Sequence, residues 1–169
     1  MSNIVLVGIM GSGKSTVARV LSKKLNMKWL DTDHMIESQS GKKITDLFNV
    51  SESYFRSWEH SICNSLQNYQ NHIISTGGGI IINPNNRALL KKLGIVIYLS
   101  ISANAVINRL KNDTKRPLLQ HENKLEIIQN LLVERDPLYN EVSTLKIDVD
   151  QLSIDQVTEQ IIAEREKLI

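Results

Sequence analysis

The chain has 169 residues, of which 41% are apolar and 22% are charged, values that are ordinary for one domain with a hydrophobic core. A net charge of +2 does not favour nucleic acid or a membrane as a partner, and an aromatic content of 5% argues against a base-stacking surface. The one cysteine, Cys63, has no partner for a disulfide within the chain, so we expect a reducing, cytoplasmic location.

Short apolar runs alternate with helical patterns along the chain. Continuously apolar runs predict buried parallel strands, and apolar residues spaced three and four apart predict helices between them. In chain order, the predicted elements are a strand at residues 4–7, a helix at 14–25, a strand at 28–30, interrupted helices over 34–71, a strand at 72–75, a helix at 84–93, a strand at 95–100, a helix after 102, a helix at 124–135, a strand at 145–149 and a last helix after 153.

The helix boundaries carry recognisable signals. Ser51 and Asn83 occupy cap positions, and Gly41 and Gly94 end the helices that precede them. Residues 111–123 break the pattern because they are polar and include a proline, and they predict a mobile loop.

Strands that alternate with helices form βαβ units, which predict an α/β fold with a parallel sheet covered by helices on both faces. Ligands of such sheets bind at the carboxyl ends of the strands. Three polar segments directly follow predicted strands and should meet at this edge: residues 8–15, 31–33 and 76–79.

Residues 8–15 read GIMGSGKS, which is the G-x-x-x-x-G-K-[ST] pattern of a phosphate-binding loop. Its glycines let backbone N–H groups turn inward, and the helix that follows points its positive dipole end at the same place. We expect Lys14 to reach the β- and γ-phosphates of a nucleoside triphosphate and Ser15 to bind Mg²⁺. A plain glycine turn with a solvated lysine is disfavoured, because a strand and a helix flank the motif.

Two carboxylates follow the second predicted strand. Asp31 and Asp33 leave it on alternate faces, so one can face Mg²⁺ and the other an acceptor. We expect Asp31 to hold the metal through water, and Asp33 to hydrogen-bond an acceptor hydroxyl and take its proton. An alternative stays open, in which Asp33 is an Asx-type helix cap.

Residues 77–79 are three consecutive glycines after the third predicted strand. Their backbone N–H groups suit an anionic or polyhydroxy substrate, but a turn that requires a positive φ stays open as an alternative. Arg116 lies in the polar loop, where closure would bring it to the γ-phosphate. Arg56 and Arg135 carry planar forks suited to a carboxylate, although nothing in their spacing shows that they meet.

Six segments in a fixed order match one known family. They are LVGIMGSGKST at residues 6–16, DTD at 31–33, FRSWE at 55–59, STGGG at 75–79, RPLL at 116–119 and ERDPLY at 134–139. On these segments the chain resembles the shikimate kinase family from end to end. The first segment alone marks only a P-loop enzyme, whereas the ordered set of six is specific.

The resemblance implies transfer of the γ-phosphate of ATP to the 3-hydroxyl of shikimate with Mg²⁺, giving shikimate 3-phosphate and ADP in chorismate and aromatic amino-acid biosynthesis. It implies a three-layer P-loop fold with a five-stranded parallel sheet in the order 2-3-1-4-5. It also implies one domain over residues 1–169, with a substrate-binding insertion at about 33–60 and a mobile lid at about 111–123. We expect a monomer.

The resemblance also implies roles for individual residues, with Arg56 and Arg135 gripping the shikimate carboxylate, Glu59 orienting Arg56 and Arg109 packing on adenine. The implied catalytic residues are Lys14, Asp33 and Arg116. The implied ATP contacts are Gly11, Ser12, Gly13, Lys14, Ser15, Thr16, Arg109 and Arg116. The implied shikimate contacts are Asp33, Arg56, Glu59, Gly77, Gly78, Gly79 and Arg135. The implied metal ligands are Ser15, directly, and Asp31, through water.

Two other functions fit parts of this sequence less well. A gluconate or nucleoside monophosphate kinase would share the P-loop, but a nucleotide acceptor needs a second base pocket, which the low aromatic content disfavours. A nucleotide-dependent binding module without turnover is also disfavoured, because the side chains expected to take part in turnover are all present: Lys14, Ser15, Asp31, Asp33 and Arg116.

Overall fold

The computed structural model describes residues 2–111 and 123–168. These residues form an α/β fold in which helices cover a parallel sheet. The strands are β1 (Asn3–Val7), β2 (Lys28–Asp31), β3 (His72–Ser75), β4 (Gly94–Ser100) and β5 (Leu145–Asp148). The α-helices are α1 (Lys14–Leu25), α2 (Thr32–Ser40), α3 (Ile44–Val50), α4 (Glu52–Ser65), α5 (Pro84–Leu93), α6 (Ala103–Leu110), α7 (Lys124–Val142) and α8 (Ile154–Leu168).

The sheet has the order β2-β3-β1-β4-β5, so the predicted order is confirmed. β1 lies at the centre, pairs in parallel with both β3 and β4, and is buried along its whole length. This position explains why residues 4–7 are continuously apolar, since a central parallel strand is covered on both faces. It also brings the segment after β1 between the segments that follow β3 and β4.

Three of the predicted helix boundaries are confirmed, two in the insertion and one at α5. Gly41 adopts a left-handed conformation at the end of α2, with φ of 67°. The Ser51 hydroxyl accepts a hydrogen bond from the Tyr54 N–H at the start of α4. The Asn83 side chain accepts one from the Asn85 N–H at the start of α5. Each of these residues satisfies backbone groups that the first or last turn leaves without a helical partner.

The prediction that the seventh helix ends near residue 135 is wrong, because α7 continues to Val142 with Pro137 inside it. An interior proline removes one helical hydrogen bond and costs about 3 kcal/mol. The extra turns bury Tyr139 and Val142, and the Tyr139 ring stacks on Tyr98 with ring centroids 4.9 Å apart. This packing offsets the local cost of the proline, and a pattern of single residues does not reveal it.

Helices α2, α3 and α4 lie between β2 and β3 and have a hydrophobic cluster of their own. The cluster consists of Ile36, Leu47, Phe55 and Ile62. These helices occupy the part of the chain that the sequence predicts as a substrate-binding insertion. The predicted lid, in contrast, falls almost entirely on residues 112–122. These residues, which include Arg116, lie outside the described residues. Among the helices that are described, none is both long and apolar enough to cross a membrane.

Gly94 begins β4 with φ of 154°, a backbone conformation that residues with a side chain rarely adopt. A Cβ atom at this position would overlap the carbonyl oxygen of Asn3 and lie 2.7 Å from its nitrogen, in the central strand. We predict that Gly94→Ala lowers the free energy of unfolding by about 3 kcal/mol, measured by urea denaturation. The matched control is Gly41→Ala, because Gly41 also has positive φ but a Cβ there meets no atom within 4 Å. Its loss should be about 1 kcal/mol, and equal losses would contradict the prediction.

Candidate active site

The phosphate-binding loop connects β1 to α1 and takes its shape from glycines in the positive-φ region. Gly11 and Gly13 have φ of 78° and 91°, and a Cβ at Gly8 would lie 2.6 Å from the carbonyl oxygen of Leu99. The nearly buried Lys14 ammonium donates hydrogen bonds to the Gly8 carbonyl at 2.7 Å and to the Ile9 carbonyl at 2.9 Å. The lysine charge and the amino end of α1 are therefore concentrated at one place, which favours an anion.

Asp31 ends β2 and links three segments at the edge of the sheet. Its Oδ2 atom accepts hydrogen bonds from the Ser15 hydroxyl at 2.8 Å and the Ser75 hydroxyl at 2.6 Å. Its Oδ1 atom accepts from the N–H groups of Asp33 and His34, so Asp31 is the N-cap of α2. The alternative in which Asp33 is the cap is therefore wrong.

Asp33 lies in the first turn of α2, not in the strand. The expectation that Asp31 and Asp33 point to alternate faces of a strand is wrong, because residues two apart in a strand share one face and because the Asp33 side chain belongs to the helix. Its carboxylate lies against Gly77, where a Cβ would come within 2.5 Å of Asp33 Oδ1. The start of α2 is joined to the same glycine, since the Thr32 hydroxyl accepts a hydrogen bond from the Gly77 N–H at 2.9 Å.

The glycine turn, residues 77–79, owes its composition to close contacts. None of its three residues has positive φ, so the alternative of a turn that requires positive φ is wrong. A Cβ at Gly77 would clash with Asp33, and one at Gly79 would overlap the Arg56 guanidinium. Gly78 lies against the phosphate-binding loop, where a Cβ would be 3.4 Å from the Gly8 carbonyl oxygen. The turn thus lies between the phosphate loop and the polar side chains of α2 and α4.

Arg56 is held by carboxylates on two sides. Its Nη1 donates to both oxygens of Glu59, at 3.1 and 2.9 Å, and Glu59 is only 2% exposed. Its Nε and Nη2 atoms donate to one oxygen of Glu52, which is exposed, at 3.3 and 3.2 Å. Both acidic residues are on α4, three or four positions from Arg56, which is the spacing that brings side chains together on a helix.

The electrostatics of Glu59 show that charges from three helices lie near one another. Burial raises the pKa of Glu59, and the neighbouring Arg56 opposes that rise. The Asp33 charge raises the pKa of Glu59 further, whereas the Arg135 charge lowers it. The charges of Asp33, Arg56 and Arg135 therefore lie close enough to act on one buried carboxylate. Their spacing in the sequence does not reveal this proximity.

Several residues with no role in the sequence predictions complete this site. The Tyr139 hydroxyl donates a hydrogen bond to the Gly78 carbonyl at 2.6 Å. The Ser75 hydroxyl donates one to Asp31, and Glu52 accepts one from Arg56. The spacing of four residues between Glu52 and Arg56 is visible in the sequence and indicates a contact between their side chains on a helix. The contacts of Tyr139 and Ser75 depend on the sheet order, so no local pattern could show them.

On the other side of the phosphate-binding loop, Arg109 donates hydrogen bonds to two backbone carbonyls. They belong to Gly11, at 3.3 Å, and to Val149, the first residue after β5. The side chain that the resemblance assigns to adenine thus connects the phosphate loop to the segment between β5 and α8.

A phosphate-binding loop lies beside an insertion that carries Arg56 and its carboxylate partners, with Arg135 of α7 nearby, on a sheet of order 2-3-1-4-5. This arrangement defines the class of the chain as a P-loop kinase. Comparison with known proteins narrows this class. The family model described as shikimate kinase matches residues 10–166.

Curated relatives and a solved structure agree with the family model. A shikimate kinase from Sulfurihydrogenibium sp. (strain YO3AOP1) is 45% identical over 163 residues, covering 96% of this chain and 96% of the relative. Another from Thermodesulfovibrio yellowstonii is 41% identical over 169 residues, covering 99% and 97%. The structure of the shikimate kinase from Acinetobacter baumannii in complex with shikimate matches with a TM-score of 0.93 at 38% identity, covering 99% of this chain and 94% of that one.

The chain therefore belongs to the shikimate kinase family and has the function of that family. The resemblance and the fold class predicted from the sequence are confirmed. Membership of a kinase family also makes ATP the co-substrate.

The raised pKa of Glu59 makes a prediction about stability. Between the ordinary pKa of a glutamate and the raised value, the folded protein binds more protons than the unfolded one, so stability falls as pH rises through this window. Glu59→Gln removes this contribution. We therefore expect the free energy of unfolding of the variant to increase relative to that of the wild type as pH rises above about 4.3, the ordinary pKa of a glutamate, measured by urea denaturation.

The control for this experiment is Glu52→Gln, which removes the exposed carboxylate on the other side of Arg56. This variant keeps the buried Glu59, so its free energy of unfolding should still fall with rising pH as that of the wild type does. The prediction would be contradicted if the difference in free energy of unfolding between Glu59→Gln and the wild type did not change with pH.

Proposed function

We propose that this enzyme transfers the γ-phosphate of ATP to the 3-hydroxyl of shikimate with Mg²⁺, giving shikimate 3-phosphate and ADP for chorismate and aromatic amino-acid biosynthesis. The observation that carries the proposal is the glycine turn, which lies against the phosphate loop, Asp33 and Arg56 at once. Family membership and a relative whose structure is in complex with shikimate support the same acceptor.

The ATP phosphates would lie on the phosphate-binding loop. Lys14 would offset the charge of the β- and γ-phosphates, and the inward N–H groups of the loop would bind their oxygens. The proposed contacts of the nucleotide are Gly11, Ser12, Gly13, Lys14, Ser15, Thr16 and Arg109. Arg116, for which we propose a contact with the ATP phosphates, lies outside the described residues.

Ser15 and Asp31 have the oxygen donors that suit Mg²⁺, and a hydrogen bond of 2.8 Å joins their side chains. Within residues 2–111 and 123–168 there is no cluster of three or more His, Cys, Asp or Glu that could hold a metal ion. A cation bound directly to Ser15 and through water to Asp31 would take its remaining ligands from phosphate oxygens and further water, as Mg²⁺ commonly does. Bound there, Mg²⁺ would neutralise charge on the phosphate oxygens.

Shikimate carries a carboxylate and hydroxyl groups, and the insertion offers a partner for each. Arg56 and Arg135 would bind the carboxylate, with Glu59 keeping the Arg56 guanidinium in place through two hydrogen bonds. Asp33 is exposed beside Gly77, so its carboxylate would accept a hydrogen bond from the acceptor hydroxyl and take its proton. The backbone of residues 77–79 would approach the substrate closely, since it has no side chains.

The acceptor is tested by a coupled assay of ADP release. We expect turnover with shikimate that depends on ATP and Mg²⁺, and none above background with gluconate or nucleoside monophosphates, which serve as parallel acceptors. The physical reason is the pair of arginines beside Asp33, which matches a carboxylate and a hydroxyl on one ring. Turnover with another acceptor but not with shikimate would refute the proposal.

The role of Asp33 is tested by Asp33→Asn. The amide keeps the size of the side chain but cannot accept a proton, so kcat should fall at least about 100-fold. The dissociation constant for ATP should stay within about twofold, because Asp33 would contact the acceptor and not the nucleotide. Asp46→Asn is the matched control, since Asp46 is an exposed carboxylate in the first turn of α3. Activity of Asp33→Asn close to that of the control would exclude proton transfer to Asp33.

A further inference from the structure

Tyr139 ends the ERDPLY segment and has no part in the function described so far. We propose that its hydroxyl positions two parts of the shikimate site, the glycine turn and Arg135, relative to each other. This inference rests on the proposed function, because it treats Arg135 as a ligand of the shikimate carboxylate. Tyr139 itself would be a positioning residue, acting through groups that touch the substrate.

The first contact is with the glycine turn. Tyr139 is fully buried, and its hydroxyl donates to the Gly78 carbonyl at 2.6 Å. The neighbouring carbonyls have backbone donors, because Gly77 accepts from Ile80 at 3.2 Å and Gly79 accepts from Ile82 at 3.0 Å. The hydrogen bond from Tyr139 therefore connects the middle of the turn to α7.

The second group beside Tyr139 is Arg135. The two residues are four positions apart on α7, so their side chains lie on the same face of the helix. Burial raises the pKa of Tyr139 to about 12, and the nearby Arg135 charge opposes that rise. The hydroxyl thus stays protonated at neutral pH and donates to Gly78, which leaves its oxygen able to accept from the Arg135 guanidinium.

The position of the turn is transmitted to the rest of the shikimate site. Gly78 lies against the phosphate-binding loop, and Gly79 lies against the guanidinium of Arg56. A shift of the Gly78 carbonyl would therefore alter the distance between the two arginines that we assign to the substrate carboxylate. The ATP side depends on the hydrogen bonds of Lys14 to the loop carbonyls, whereas the Tyr139 hydroxyl donates to the glycine turn.

The test is Tyr139→Phe, which keeps the stacked ring and removes only the hydroxyl. We expect the KM for shikimate to rise about fivefold to tenfold, the effect of losing one buried hydrogen-bond donor. The kcat and the KM for ATP should stay within about twofold of the wild type. Direct titration of shikimate should show the same loss of affinity.

Tyr98→Phe is the matched control. Tyr98 is the other ring of the stacked pair and is equally buried, but its hydroxyl donates to Asp136 at 2.7 Å and not to the glycine turn. It should lose stability, measured as a fall in Tm, while its KM for shikimate remains that of the wild type. Equal KM values in wild type and Tyr139→Phe, or equal increases in both variants, would overturn the inference.

A double-mutant cycle tests the link to Arg135. Arg135→Ala should raise the KM for shikimate, and adding Tyr139→Phe should then change it by less than about twofold, because the group being positioned is gone. Effects that multiply independently would overturn the link. The proposed function fails in a different way, namely if the wild type does not phosphorylate shikimate at all, so the two failures are distinguishable.

Discussion

The close approach of backbone and side chains at the glycine turn is the constraint on which the rest of the site depends. A Cβ at either end of the turn would displace the Asp33 carboxylate or the Arg56 guanidinium. In the middle, Gly78 is in contact range of the phosphate loop and of Tyr139. Four separate elements, namely α2, α4, α7 and the phosphate-binding loop, therefore come together around one piece of bare backbone. A larger residue there would move the polar groups apart even if the local fold of the turn survived.

Around this turn, the charges balance one another in a way that keeps them close. The buried Glu59 is costly as a free carboxylate, and the two hydrogen bonds from Arg56 compensate for part of that cost. In return, Glu59 restricts the Arg56 side chain, which would otherwise lose much rotamer freedom when it binds an anion. Asp31 restricts its neighbours in the same way beside the phosphate-binding loop. Its two oxygens accept hydrogen bonds from Ser15, from Ser75 and from the first turn of α2.

The helix α7 connects these local arrangements to the core. Its predicted end near residue 135 would have left Arg135 in a frayed last turn. The observed helix passes through Pro137 and buries Tyr139 against Tyr98, so that Arg135 lies more than one turn from the helix end. Tertiary packing thus overrides the local signal of the proline and gives the side chain a rigid base.

The sequence alone determined the order of strands and helices, the phosphate-binding loop, the caps at Ser51 and Asn83, and, through its six ordered segments, the family. These features depend on periodicity, on glycine and on short-range hydrogen bonds, which operate within a few residues of the chain. Three features required the three-dimensional structure: Asp31 is a helix cap, the glycine turn allows close contact without positive φ, and charges from α2, α4 and α7 act on Glu59. Such contacts join residues far apart in sequence, and their distances follow from how the layers of the fold pack.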